Sequence, residues 1–140
     1  MEPIHGGCQC GAIRYELSHE PITTAMCFCR DCQIQSGSAF GMSLIVPKEG
    51  FRIVQGKPAT FTRPTDSGST TDCAFCPACG TRLFHLPKRM PDSVNVKPGS
   101  LDDPSGVAPK LAVWTIRKPA WLAIPAGIRQ FERNPELQRS

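Results

Sequence analysis

Eight cysteines fall into three short clusters and one separate position. Cys8 and Cys10 form a C-x-C-G step, and Cys76 and Cys79 form a C-P-x-C-G step. Cys27, Cys29 and Cys32 form C-x-C-x-x-C, while Cys73 stands apart. Thiolates at such spacings suit a soft divalent metal, zinc above all. Cys8, Cys10, Cys76 and Cys79 make a complete four-sulfur set, the composition of a closed structural zinc. Cys27, Cys29 and Cys32 supply only three ligands, the layout of a catalytic zinc with an open position.

The Cys76-Pro77-Ala78-Cys79-Gly80 step is the strongest local signal. A tight turn brings its two sulfurs together, its amides can donate to them, and Gly80 allows the left-handed backbone that closes it. With Cys8 and Cys10 it spans 65 intervening residues, so a metal there would tie the N-terminal strand to the middle of the chain. In the second cluster, four groups compete for the fourth position: Cys73, His85, Asp31, and a water or substrate thiolate. Cys73 reads equally as a small buried thiol. His5, His19 and His85 read first as exposed or hydrogen-bonded histidines.

Four disulfides are the alternative use of eight cysteines. The density in 140 residues is below that of disulfide scaffolds, and C-x-C neighbours are badly placed to bridge. The start of the chain shows no basic segment followed by an apolar run, so the expected compartment is the reducing cytoplasm. The longest apolar runs are too short to cross a bilayer. A formal charge of +4 raises nucleic acid as a partner. Four thiolates on Zn²⁺ carry −2 and three carry −1, so two filled sites reduce +4 to about +1. Ten of the 16 Lys and Arg lie from Arg82 onward, scattered and without interleaved aromatics, which argues against nucleic acid.

The elements that must position these cysteines are short. Fourteen Pro and twelve Gly break the chain into segments too brief for a long helical period. Alternation or apolar character predicts strands over 12–17, 40–46, 51–54, 59–62, 70–75, 82–85, 93–96 and 111–116. One or two helical turns are predicted from Arg30 to Ser36, ended by Gly37. Thr65 to Ser69 reads as a hairpin connection, and the polar tail from Glu132 reads as frayed. The expected fold is mainly β, in one domain over 1–140.

These residues together resemble the glutathione-dependent formaldehyde-activating enzyme family, which also includes centromere protein V-like domains. The likeness rests on Gly7-Cys8-Gln9-Cys10-Gly11 with Tyr15, and Cys27-Phe28-Cys29-Arg30-Asp31-Cys32 with Ser36-Gly37. It continues through Phe75-Cys76-Pro77-Ala78-Cys79-Gly80, Gly99-Ser100-Leu101-Asp102-Asp103, Pro109, Trp114, Trp121 and Pro135, and so covers about 7–135. The resemblance implies a β-tent of small antiparallel sheets stapled by zinc, with one short helical segment. It implies a structural zinc on Cys8, Cys10, Cys76 and Cys79, and a second, activity-linked zinc on Cys27, Cys29 and Cys32. It also implies carbon–sulfur lyase chemistry on the adduct of glutathione and formaldehyde. Two positions depart from the pattern. Cys73 stands where relatives often carry a basic residue, and Leu111-Ala112-Val113 stands where they often carry a histidine.

The leading expectation is a zinc-dependent protein acting on glutathione or a related thiol and its aldehyde adduct, with Cys27, Cys29 and Cys32 as the chemical centre. Cys73 is the candidate extra ligand that would close that centre. Two rivals remain: a non-catalytic zinc module that binds a protein, and a thiol redox or metal-handling protein.

Overall fold

The short alternating segments become eleven strands and one α-helix among residues 1–66 and 68–135, which a computed structural model of the chain describes. In chain order they are β1 (Ile4–Gly7), β2 (Arg14–Leu17), β3 (Thr23–Cys27), α1 (Arg30–Ser36), β4 (Gly41–Pro47) and β5 (Phe51–Gln55). Then follow β6 (Ala59–Pro64), β7 (Thr70–Phe75), β8 (Arg82–Pro87), β9 (Ser93–Val96), β10 (Leu111–Val113) and β11 (Arg129–Gln130). The fold is mainly β. No described helix is long and apolar enough to cross a membrane.

Contacts divide the chain into two compact units. The first holds Met1–Thr23 and Leu44–Val107; the second holds Thr24–Ser43 and the segment from Ala108. Strand β4 begins in the second unit and ends in the first.

In the first unit, β1, β2 and β5 form a three-stranded antiparallel sheet. The end of β4 pairs with β9, and β9, β8, β7 and β6 follow in antiparallel order. Alternation sends one set of side chains inward, so Leu44, Val46, Ala74, Phe84, Val94 and Val96 meet Ile13, Tyr15 and Leu17 in one core. Burying each large apolar side chain contributes about 1.5–3 kcal/mol. Tyr15 is fully buried, and its hydroxyl keeps a partner in Ser100 Oγ at 2.6 Å. Burial pushes the Tyr15 phenol up to about 12, so it stays a neutral hydrogen-bonding group.

The second unit is built around β10, which runs parallel to both β3 and β11. Its core is Met26, Phe28 and Ala112, with Phe40, Trp114, Leu122, Ile124 and Ile128 packed around them. The antiparallel arrangement implied by the resemblance thus describes the first unit, while the second adds parallel pairs. Helix α1 has no buried residue and is too short to persist on its own. Both ends are capped. Cys29 Sγ accepts from the Cys32 amide, and Gly37 takes the left-handed conformation at φ 63°. The amides of Gly37 and Ser38 return to the carbonyls of Ile34 and Gln33, which satisfies the helix end.

Predicted strands 70–75 and 93–96 and the helix Arg30–Ser36 coincide with observed elements. Strand β1 was not predicted, because His5-Gly6-Gly7 has little strand propensity; pairing with β2 makes it a strand. The strand predicted over 111–116 stops at Val113. There Trp114 turns left-handed at φ 58°, the sole non-glycine with positive φ among the described residues, and a short 3-10 turn follows. The tail correction is local. Trp114 Nε1 donates to Asn134 Oδ1 at 3.1 Å, and the Ile116 amide reaches the Glu132 carbonyl at 3.3 Å, so the start of the predicted frayed tail is tied down. Residues 136–140 lie outside the described residues, as does Ser67 in the predicted hairpin connection. Around it, the Thr65 amide bonds the Ser69 carbonyl at 3.0 Å.

Candidate metal centres

The first centre lies wholly in the first unit. The Cys8-to-Gly11 turn follows β1, and the Cys76-to-Gly80 turn follows β7. Each closes on itself: the Gly11 amide reaches the Cys8 carbonyl at 3.1 Å, and the Gly80 amide reaches the Cys76 carbonyl at 2.8 Å. Gly80 has φ +81°, a conformation that side chains resist. The four sulfurs of Cys8, Cys10, Cys76 and Cys79 all lie within 4.8 Å of one another. Cys8 Sγ is 3.6 Å from Cys10 Sγ, and Cys10 Sγ is 3.8 Å from Cys76 Sγ. Tetrahedral zinc with bonds of about 2.3 Å separates its sulfurs by about 3.8 Å. The donor set fits zinc in number, type and spacing.

Thr81 joins the two turns and was not singled out from the sequence. Its hydroxyl accepts the Gln9 amide at 3.0 Å and sits 3.2 Å from Cys79 Sγ. Its carbonyl accepts the Cys76 amide at 2.9 Å. Hydrogen bonds from the Thr81 hydroxyl and amide, then the Cys10 amide, pull the Cys79 thiol down to about 5. The Ile13 amide likewise donates to Cys8 Sγ at 3.2 Å. Such donors stabilise the thiolate form that a metal requires. Cys8 and Cys76 are buried within the core, whereas Cys10 and Cys79 are exposed.

The second centre lies wholly in the second unit, where β3 runs into α1. Phe28 is fully buried between Cys27 and Cys29, and its ring packs against Phe40 with centroids 5.5 Å apart and planes tilted by 49°. Phe28 anchors the link between the end of β3 at Cys27 and the helix cap at Cys29, and both flanking cysteines are half-buried. The capping bond from the Cys32 amide to Cys29 Sγ, at 3.3 Å, folds the third cysteine back toward the first two. The sulfurs of Cys27, Cys29 and Cys32 lie within 4.8 Å of one another. Three thiolates at this spacing suit zinc and leave a coordination position over. Hydrogen bonding to Cys29 and to Cys32, and then burial and the charge of the same two sulfurs, push the Cys27 thiol strongly upward. Three thiolates therefore gather here only with a compensating cation.

Gln33, in the helix just after Cys32, was also passed over in the sequence. Its Nε2 donates to the Phe28 carbonyl at 3.0 Å and to the Arg117 carbonyl at 3.2 Å, while Arg30 Nη1 donates to its Oε1 at 2.6 Å. One side chain thus clamps the cysteine turn to the segment after β10. Its only sequence signal was position, one residue beyond the last ligand.

Among the described residues, no further His, Cys, Asp or Glu joins either sulfur group. Cys73 and His85 face each other across β7 and β8 in the first unit. Asp31 is on α1, outside the three-sulfur group. His5 and His19 belong to neither group; His19 Nδ1 lies 3.1 Å from Ser18 Oγ.

A family model described as glutathione-dependent formaldehyde-activating enzyme matches residues 3–117. A crystal structure of a Rhodobacter sphaeroides protein from a structural genomics effort is similar in fold. Its TM-score is 0.57 at 22% identity, over 75% of this chain and 91% of that one. No curated protein matches the chain.

Proposed function

Since the chain belongs to the glutathione-dependent formaldehyde-activating enzyme family, we propose that it is a zinc-dependent carbon–sulfur lyase acting on a small thiol, such as glutathione, and its aldehyde adduct. The observation that carries this reading is the incomplete donor set of Cys27, Cys29 and Cys32, three sulfurs within 4.8 Å and no fourth group among the described residues. Cys8, Cys10, Cys76 and Cys79 hold the structural zinc in this reading. The cytoplasm, where thiols stay reduced, is the compartment it requires.

Zinc held by Cys27, Cys29 and Cys32 would supply a Lewis acid with one free position, suited to a thiolate sulfur. In the synthetic direction the thiol sulfur adds to the aldehyde carbon. A C–S bond forms, the carbonyl π bond breaks, and the thiol proton ends on the resulting hydroxyl oxygen. Lysis is the reverse. In this reading Cys27, Cys29 and Cys32 would hold the metal and would not themselves attack the carbon. Phe28 and Phe40 form an apolar wall behind the cysteines that excludes water from that side. Gln33 and the Phe28 amide keep the cysteine turn fixed, so binding energy is not spent on ordering it.

Cobalt-substituted protein tests the proposal. Two metals per chain are expected, with the spectrum of one changing when glutathione is added. Two four-thiolate spectra indifferent to glutathione would instead indicate a non-catalytic zinc module and refute the enzyme reading.

A further inference from the structure

A second polar cluster lies in the first unit, on residues that neither sulfur group uses. Register pairs place Phe61 beside Cys73, Cys73 beside His85, and His85 beside Asn95, so these four side chains form a row on one face of β6–β9. Arg63, two residues from Phe61, and Lys97, two residues beyond Asn95, fall on the same face by alternation. The opposite face carries the core residues Ala74, Phe84 and Val96. Cys73 and His85 are nevertheless buried on this side as well, which puts polar groups in an enclosed position outside the apolar core.

Two atoms in this row are buried without a partner: His85 Nε2 and Asn95 Oδ1. His85 is only 5% exposed. Native proteins rarely leave adjacent buried polar atoms unsatisfied, because neither water nor protein then repays their desolvation. The charges that act on both His85 and Cys73 are positive: Lys97, Arg63 and Arg82. Burial first, then these cations, lower the His85 pKa to about 3. His85 is therefore a neutral imidazole with a ring nitrogen available for donation, in a positive field. That field repels a metal ion and favours an anion. Asn95 can offer its amide nitrogen to the same anion by rotating its carboxamide. The row is closed over Cys73 and His85 and opens at its β6 end, where Phe61 is 52% exposed.

We propose that this face binds a carboxylate group, held by His85 Nε2 and the Asn95 carboxamide in the field of Arg63 and Lys97. The proposal stands independently of what Cys27, Cys29 and Cys32 do. The carboxylate can come from a free small acid or from the end of a thiol peptide such as glutathione; both present the same group.

The test is NMR of the full chain carrying ¹⁵N-histidine, with the His85 signal assigned by its loss in His85→Gln. Acetate and glutathione are titrated separately, at ionic strength held constant with chloride. A saturable shift of the His85 ring nitrogens is expected with acetate. Lys97→Gln and Arg63→Gln should each weaken it about tenfold, the loss of one charged contact. Their thermal unfolding midpoints are read in parallel, so that misfolding is recognised and the folded variant decides. A glutathione shift displaced by acetate assigns the site to the thiol peptide; a shift with acetate alone assigns a free acid. No saturable shift with either ligand, which would leave ordered water only beside His85, overturns the proposal. Unchanged acetate binding in a folded Lys97→Gln variant also overturns it.

Discussion

The amide of Phe28 donates to the carbonyl of Val113 at 3.1 Å, and this bond fixes the turn that carries the three-cysteine centre. It extends the parallel pairing of β3 with β10, in which Cys27 stands beside Val113. The next residue, Trp114, takes a left-handed backbone and packs in the same core as Phe28. Strained backbone in a bulky residue persists only when its surroundings hold it. Here it ends β10 beside the cysteine turn.

Cys29 has two roles that one substitution separates. Its sulfur caps α1 and also belongs to the three-sulfur group. Serine is a good helix cap and a poor zinc ligand. Cys29→Ser should therefore keep the far-UV spectrum and the unfolding midpoint close to wild type, yet lose one metal per chain and the thiol-adduct activity. Metal analysis beside circular dichroism checks this; retention of both metals would argue against ligation by Cys29.

Cys76→Ser should act on the fold instead. Cys76 is fully buried in the main core and joins two turns that lie far apart in the chain. Losing that centre removes folding free energy directly. The expected result is loss of one metal together with a large fall in the thermal unfolding midpoint. Chelator treatment of the wild type should lower the midpoint in the same direction.

Cys73→Ala tests the residue that the sequence left between two roles. Cys73 is fully buried and belongs to neither sulfur group. Burial pushes its thiol up, which marks a protonated side chain rather than a ligand. Both metals should remain, and stability should fall by about 1–2 kcal/mol from the small cavity. Loss of a metal would reinstate it as a ligand.

Gln33→Leu should loosen the clamp between the Phe28 and Arg117 carbonyls without removing a ligand. Groups that orient ligands typically change metal affinity about 10–100-fold. Competition with a chromophoric chelator should show weaker binding of the second metal and unchanged binding of the first.

His85 predicts a pH dependence. Its folded pKa is lowered to about 3 from an ordinary 6.5, chiefly by burial. Between these values the unfolded chain binds the proton and the folded chain does not, so stability falls as pH drops from about 6.5 toward 3. Above that window His85 contributes no slope. Each unit crossed costs at most about 1.4 kcal/mol. Urea titrations across this range should show a slope that His85→Gln reduces; an equal slope in both proteins would contradict the buried neutral imidazole.

Local chemistry made part of this molecule legible from the sequence. The Gly-ended cysteine turns, the helix between Cys29 and Gly37, and strands such as 70–75 and 93–96 depend on near neighbours. Their residues carry the turn, cap and alternation signals within a few positions. The family pattern, too, is a pattern of spacings. Other features depend on partners far away in the chain. Strand β1 exists because β2 pairs with it, and β10 ends early because Trp114 packs beside Phe28 and bonds Asn134. Thr81 and Gln33 became site residues only when folding brought Gln9 and Arg117 to them. The same holds for Cys73. Its type made it eligible as a ligand, but strand register set it opposite His85, among cations and outside both sulfur groups. For Cys27, Cys29 and Cys32 the local turn and helix cap already bring the sulfurs together; only tertiary folding carries Cys8 and Cys10 to Cys76 and Cys79 and leaves Cys73 apart.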